Sequence, residues 1–163
     1  MKFRMVDRIL SWQPRRSITG VKAVSFEEYS LKSPWGGPAC LPESLLMEAL
    51  FQLGNWLIVL SSDFTRMGLL VRMEEVRFHE PLGQTGPGQS IQMDIEVASY
   101  RDDGVVFNGL ATAQGRPIAS GKGCLAAPVD LEDFHNPADL RVLFSEIYRP
   151  PIETVAHPAR YGV

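Results

Sequence analysis

Residues 90–100 alternate between apolar and polar side chains with a period of two. In an extended chain this period puts every second side chain on the same face, so the segment predicts a strand with one packed face and one solvated face. The apolar set consists of Ile91, Met93, Ile95 and Val97. Residues that favour strands are also frequent in segments 17–26, 68–78, 105–114 and 117–126. Turn-forming residues separate the last three strands along the chain, which predicts an antiparallel meander.

Residues 42–61 carry apolar side chains on nearly every face of a helix. Pro42 suits the first turn, where its missing N–H costs nothing, and Glu43 suits the positive end of the helix dipole. A helix this apolar must be buried on most sides. One long helix between a first strand and a run of antiparallel strands predicts an α+β hot-dog fold, in which a curved sheet wraps the central helix. Because such a sheet leaves an edge strand uncovered, we expect two copies or two homologous chains to pair.

The composition changes after residue 127. A polar linker leads to residues 138–148, whose apolar stripe predicts a short helix, and the proline-containing tail predicts an extended end. We therefore divide the chain into a hot-dog domain at 1–127 and a C-terminal extension at 128–163. We expect the short helix to dock over the sheet, because its apolar stripe needs cover.

Charge and composition narrow the function classes. The net charge of -3 and the pI near 5.6 give no general attraction to nucleic acids or to anionic membranes. Glu48, Gln52 and Asn55 interrupt the longest apolar stretch, which argues against a membrane span. The two cysteines, Cys40 and Cys124, form neither a disulfide framework nor a metal-ligand spacing. We expect a cytoplasmic protein that needs no cofactor and no metal.

Basic residues cluster near the start of the chain, where they predict either a solvated rim or a patch that receives an acidic protein. They are Lys2, Arg4, Arg8, Arg15, Arg16 and Lys22. An exposed basic rim near a tunnel mouth would favour binding of an acidic carrier protein.

Five separate segments carry a resemblance to a known family. They are Val-Asp-Arg-Ile from position 6, Lys-Ala-Val-Ser from 22, the proline at 42, Glu-Ala-Leu-Phe-Gln from 48, and Val-Arg-Phe from 76. In order and spacing they resemble the FabZ and FabA type of 3-hydroxyacyl-acyl-carrier-protein dehydratase, over about residues 5–126. Any one of these motifs alone would be weak, but their agreement in order makes the resemblance specific.

The resemblance implies dehydration of a 3-hydroxyacyl thioester, with a histidine as base and a helix glutamate as proton donor, contributed across a dimer interface. The glutamate is kept as Glu48, and Gln52 lies one turn further on, within reach to orient it. The family's Gly-His-Phe-Pro-Gly loop is replaced by residues 33–37, and Pro34 stands where the histidine is expected. Pro34 has no titratable group, so it cannot act as a base. The substrate-binding candidates are Pro34, Trp35, Gly36, Gly37 and Pro42, where the tryptophan lines or plugs an acyl tunnel and glycine N–H groups face the thioester oxygen.

The chain has three histidines, none of them at the expected position. His79 lies at a predicted strand end and is the candidate second base, although a strand-end histidine is more often a surface residue. We expect His135 and His157 to be exposed in the C-terminal extension.

Three functions remain open at this point. The first is a subunit without a base of its own, which binds acyl thioesters or an acyl carrier protein and lends Glu48 to a histidine-bearing homologue. The second is an active dehydratase or thioesterase that uses Glu48 with another base. The third is a structural dimer without an acyl ligand, since a fold does not fix a function. An open apolar tunnel reaching Glu48 favours the first two, and a filled core favours the third.

Overall fold

The computed structural model describes residues 4–28, 31–33, 36–79 and 85–151. Its strands are β1 (Arg8–Gln13), β2 (Ser17–Ala23), β3 (Arg66–Arg72), β4 (Glu75–Phe78), β5 (Ser90–Tyr100), β6 (Val105–Ala113) and β7 (Arg116–Asp130). Its helices are α1 (Glu43–Ser61) and α2 (Pro137–Ile147), and a 3-10 turn at Leu131–Asp133 joins β7 to α2. The strands pair antiparallel in the order β1-β2-β5-β6-β7-β3, and β4 also pairs with β7.

Helix α1 packs against one face of the sheet and contacts β2, β3, β5, β6 and β7. Leu50, Leu53 and Leu57 are fully buried in this contact. At Gly54 a Cβ atom would lie 2.6 Å from the Phe107 ring, so glycine lets the helix approach β6 this closely. By length and hydropathy alone α1 could span a membrane, but 56% of its most apolar stretch is buried inside the fold, as in a core helix.

Both ends of α1 follow from the local sequence. Pro42 stands just before the first helical residue, and its carbonyl accepts the Leu45 N–H at 2.9 Å. Proline has no N–H to leave unpaired, so this position costs no hydrogen bond. Beyond Ser61, Asp63 and Phe64 adopt positive φ angles of 53° and 60°, which end the helix and turn the chain into β3. The helix predicted at 42–61 is confirmed, with Pro42 at its cap.

The strands agree less uniformly with the predictions. Strand β5 has the predicted bounds, and its residues Ile91, Met93 and Ile95 are buried. The segment predicted as one strand at 68–78 forms two, β3 and β4, which pair with successive parts of β7. Strand β7 runs to Asp130, beyond the predicted end at 126. The pattern does not predict β1, because Ile9 is the only residue along it that is fully buried.

In its described ring contacts, the short C-terminal helix touches the sheet only at its edge strand, where Phe144 meets Trp12 of β1, and most of these contacts lie elsewhere. Helix α2 packs against the outer side of α1 and the turn that follows it. The Phe144 ring lies 6.1 Å from that of Trp56 and 6.2 Å from that of Phe64, measured between centroids. Arg141 forms an ion pair with Asp63 at 3.0 Å. Phe144 of α2 therefore packs against the central helix, although no residue of α2 is fully buried.

The two edges of the sheet differ. Strands β3 and β4 form an edge with exposed apolar side chains, which we call the β3–β4 edge: Leu69, Leu70, Val71, Met73, Val76 and Phe78. Their exposed fractions run from 36% to 62%, which is unusual for large apolar residues at a sheet edge. At the opposite edge, Tyr148 forms a bridge with Ile9 of β1, and the Arg149 N–H donates to the Ile9 carbonyl at 2.9 Å.

Candidate active site

Glu48 and Gln52 lie one turn apart on α1 and are joined by a hydrogen bond. The Gln52 side-chain amide donates to Glu48 Oε1 at 2.8 Å, and the Met5 backbone N–H donates to Gln52 Oε1, also at 2.8 Å. The N-terminal segment thus fixes the amide of Gln52, which in turn holds one oxygen of the half-buried Glu48 carboxyl group. Within the described residues the second carboxyl oxygen has no partner, so it is free for proton transfer. The predicted contact between the two residues is present.

A cavity of about 300 Å³ opens on the outer side of α1. Its walls come from α1, from the segment before β1 and from residues 131–147 of the C-terminal extension. Gln52 lines this cavity, whereas Glu48 is not among its lining residues. The space therefore reaches the hydrogen-bond partner of the glutamate but not the glutamate itself.

The loop before α1 is only partly described. Pro34 and Trp35 lie outside the described residues. Gly36 has a φ of 74°, and its N–H donates to the Ser33 carbonyl at 3.3 Å. That bond and the positive φ show that Gly36 serves a turn, and its amide is not available to a thioester oxygen in this arrangement. Gly37 is exposed and precedes α1 in the chain. Of the two glycines, Gly37 therefore remains the candidate whose backbone N–H could donate to the thioester oxygen.

His79 lies on the face of the sheet that is turned away from α1. Its Nε2 atom is 2.9 Å from Ser120 Oγ, and its side chain is exposed. On β7 the residues next to Ser120 face the helix: Ala119 is fully buried, and a Cβ at Gly121 would lie 2.9 Å from Met47. Successive strand residues face opposite sides, so Ser120 and His79 share the outer face. The structure does not bring His79 to Glu48.

His135 is half-buried and lines the same cavity as Gln52, so the expectation of an exposed tail residue is wrong. The sequence carries no signal for this placement, because it depends on how the C-terminal extension folds back over α1. His157 lies outside the described residues. Of the described histidines, His135 is thus the one that shares a cavity with a residue of the Glu48–Gln52 pair.

One residue of the predicted basic rim, Lys22, is buried. Lys22 is 3% exposed and forms ion pairs with Asp7 and Glu28 inside the fold, so its assignment to a solvated rim is wrong. Arg15 and Arg16 are exposed at the turn between β1 and β2. Lys2 lies outside the described residues.

Neither cysteine has the features of an activated nucleophile. Burial raises the pKa of the Cys124 thiol to about 11, and burial followed by the nearby Glu43 carboxylate raises the pKa of Cys40. Both thiols are therefore neutral at physiological pH. Within the described ranges, no three His, Cys, Asp or Glu side chains are grouped to hold a metal ion.

Sequence comparison decides the family. Residues 1–122 match the sequence model of the FabA-like domain. The chain belongs to the FabA-like family. A 3-hydroxyacyl-[acyl-carrier-protein] dehydratase FabZ from Oleidesulfovibrio alaskensis is 31% identical over 134 residues, which cover 80% of this chain and 84% of the relative. A FabZ dehydratase from Myxococcus xanthus is 30% identical over 131 residues, covering 78% and 83%. The resemblance carried by the five motifs is confirmed.

Solved structures share the fold of this FabA-like chain at low sequence identity. The dehydratase heterocomplex ApeI:P from Xenorhabdus doucetiae matches with a TM-score of 0.60 and 15% identity, covering 86% of this chain and 88% of that one. The smu.793 protein from Streptococcus mutans, solved with acetyl CoA, matches with a TM-score of 0.57 and 13% identity, covering 76% and 88%. The predicted hot-dog fold is confirmed.

Proposed function

We propose that this FabA-like chain handles acyl thioesters as the histidine-free subunit of a dehydratase-like assembly. It lends Glu48 to a site that a homologous partner completes with a histidine. The observation that carries the proposal is the hydrogen-bonded series from Met5 through Gln52 to Glu48, kept in a chain whose expected histidine position is Pro34. Retention of a positioned acid beside a lost base is the pattern expected of one half of a shared site.

The chemistry divides naturally between two chains. A base removes the α-proton of the 3-hydroxyacyl thioester, and an acid protonates the β-hydroxyl group, which leaves as water while the α–β double bond forms. Glu48 is suited to the second task, since Gln52 orients one of its oxygens and leaves the other open. Pro34 has no group for the first task, so the base must come from elsewhere.

The β3–β4 edge supports pairing with another hot-dog chain. Its exposed apolar side chains would be covered by a partner edge, in a homodimer or in a heterodimer. A homodimer would have proline at both loop positions, so shared catalysis favours the heterodimer. The ApeI:P heterocomplex shows that a protein of this fold occurs in a dehydratase heterocomplex. The exposed Arg15 and Arg16 offer positive charge to an acidic acyl carrier protein, with acyl-CoA as the alternative thioester.

A second candidate function rests on His135. Because His135 lines the same cavity as Gln52, the C-terminal extension brings a titratable base to the side of α1 that carries Glu48. A chain with its own acid and base would be a dehydratase or a thioesterase without a partner. A structural dimer that binds no acyl group is the third candidate, and it needs neither residue.

A complementation assay separates these functions. The substrate is a 3-hydroxyacyl thioester on acyl carrier protein, and the partner is a FabZ-type homologue from the same organism whose helix glutamate is changed to glutamine. Neither protein alone should dehydrate the substrate, whereas the mixture should. Replacing this chain by its Glu48→Gln variant should abolish the gain, and the exposed Glu96→Gln variant is the matched control.

Activity of the purified chain alone would contradict the proposal and favour the second function, above all if His135→Phe removes it. A Pro34→His variant that becomes active alone would show that the remaining parts of the site are intact. Silence of every mixture and of Pro34→His would favour the structural dimer.

A further inference from the structure

The cavity on the outer side of α1 is built largely by residues outside the family match. The match ends at residue 122, whereas Leu131, His135, Leu140, Leu143 and Ile147 all line the cavity. The C-terminal extension thus creates a space that the FabA-like domain does not have by itself. None of the described residues of the loop at 33–37, where the family resemblance places the thioester, lines this space.

The volume fits a small ligand. A cavity of 300 Å³ lies at the lower limit of small-molecule sites, and at about 30 Å³ per water-sized group it holds roughly ten heavy atoms. A whole coenzyme A or a phosphopantetheine arm would extend far beyond this volume. It admits a short acyl chain or a single ring with one polar head group.

Most of the polar groups that remain unused in the wall can donate hydrogen bonds. Asn55 Oδ1 already accepts the Gly68 N–H at 2.7 Å, which leaves its side-chain NH2 group. The Gln52 oxygen is likewise taken by the Met5 N–H, and its amide is directed to the glutamate. Within the described residues neither the guanidinium group of Arg4 nor the ring of His135 has a partner. A wall whose spare groups donate hydrogen bonds, with a permanent cation among them, favours an anion.

The remaining wall is apolar. Trp56 and Val59 of α1 face Leu140, Leu143 and Ile147 of α2 across the cavity. A small hydrated anion such as phosphate does not suit most of this volume. It would lose its bound water there and meet mainly apolar side chains, which offer no hydrogen bonds in exchange. The ligand therefore needs an apolar body in addition to its charge.

We propose that this cavity binds a small amphipathic carboxylate, with Arg4 and His135 holding the carboxylate group and the facing side chains of α1 and α2 holding its apolar body. Glu48 and the described residues of the loop at 33–37 do not line the cavity, and the proposal does not rest on the histidine-free subunit function. The cavity shares Gln52 with the Glu48 pair, so an occupied cavity lies one hydrogen bond from the candidate catalytic carboxyl.

Isothermal titration calorimetry of the full chain with octanoate and with phenylacetate tests the proposal. Both probes have about the volume of the cavity. We expect saturable one-to-one binding, and much weaker binding of octan-1-ol, which has the same apolar body without the charge. Arg4→Gln should weaken octanoate binding by about tenfold, because a hydrogen bond to a charged group is lost. The exposed Arg101→Gln is the matched control and should bind as the unmodified protein does.

Two further variants locate the site. Leu143→Trp fills the cavity and should abolish binding, and His135→Phe keeps the ring volume but removes the donor, so it should weaken octanoate several-fold. Equal binding of octanoate and octan-1-ol, or full affinity in Arg4→Gln, would overturn the proposal even if Leu143→Trp fails to fold. An absence of saturable binding up to about 10 mM would overturn it as well, since a ligand of this size in a fitting site should bind at that level.

Discussion

Replacing Lys22 by methionine tests how much a buried ion pair stabilises the start of the sheet. Lys22 is 3% exposed, and its Nζ atom lies 2.6 Å from Glu28 Oε1 and 3.3 Å from Asp7 Oδ2. The same ammonium group donates to the Ala23 carbonyl at 2.9 Å. Methionine has a similar length and keeps the apolar stem in place, so the change removes mainly the charge and its three hydrogen-bonding contacts.

The expected loss in the free energy of unfolding depends on which partners Glu28 and Asp7 retain once the lysine is removed. Glu28 has a side chain that is 19% exposed, and its second oxygen is buried without a partner in the described structure, so it would become an uncompensated charge. Breaking such a buried pair costs about 3–5 kcal/mol. Asp7 is 40% exposed and keeps its bond from the Ala23 N–H at 2.7 Å, so its share is within about 1 kcal/mol. Partial solvation of Glu28 lowers the sum to roughly 2–4 kcal/mol.

Urea unfolding followed by circular dichroism measures this loss as a change in the free energy of unfolding, and thermal unfolding measures it as a change in Tm. For a chain of this length we expect the Tm of Lys22→Met to fall by roughly 5–15 °C. Lys122→Met is the matched control, because Lys122 is exposed, and it should leave the Tm within a few degrees of that of the unmodified protein. Adding Glu28→Gln to Lys22→Met should restore part of the stability. A change below about 0.5 kcal/mol in Lys22→Met would refute the reasoning. The attraction between the buried charges would then only balance the cost of removing them from water.

Three further predictions concern the core, a thiol and the sheet edge. Gly54→Ala should lower the free energy of unfolding by about 1–3 kcal/mol despite the better helix propensity of alanine, because its Cβ meets the Phe107 ring; an unchanged urea midpoint would contradict this. Since the pKa of Cys124 is about 11, only about one thiol in a thousand is ionised at pH 8, so a disulfide reagent should label Cys124 far more slowly in the folded chain than in denaturant. Light scattering should show that Val71→Glu weakens self-association, or association with a homologue, by tenfold or more; assembly that is unaffected would place the interface elsewhere.

Local periodicity was sufficient for the elements that have a clear inside and outside. Strand β5 alternates without interruption where it faces the core, and α1 is apolar enough that only a buried helix fits it. Strand β1 lacks this contrast, because its one fully buried residue, Ile9, sets no period. A pattern identifies an element only where burial alternates along it.

Lys22 shows that the two-residue period of a strand can predict the burial of a charged side chain, which a count of charges cannot. On β2 the buried positions are Ile18, Gly20 and Lys22, each two residues apart, so the strand period itself places the lysine inside. The pairing of Gln52 with Glu48 was likewise predictable, since residues four apart on a helix are neighbours. The cavity and the position of His135 were not, because they depend on which surface α2 packs against, and its apolar stripe fits more than one.

The unequal edges of the sheet would limit how far the chain could assemble through its strands. Two copies joined through β3 and β4 would each present β1 at the outside of the combined sheet. There Tyr148 and Arg149 already occupy positions beside Ile9, so a third strand-to-strand contact meets an edge in use. Association of this kind would be isologous and would close at two members, whereas a sheet with two free edges could extend head to tail into a filament. In such a dimer Tyr148 and Arg149 would hinder further growth of the sheet at Ile9, far in sequence from the edge that begins it.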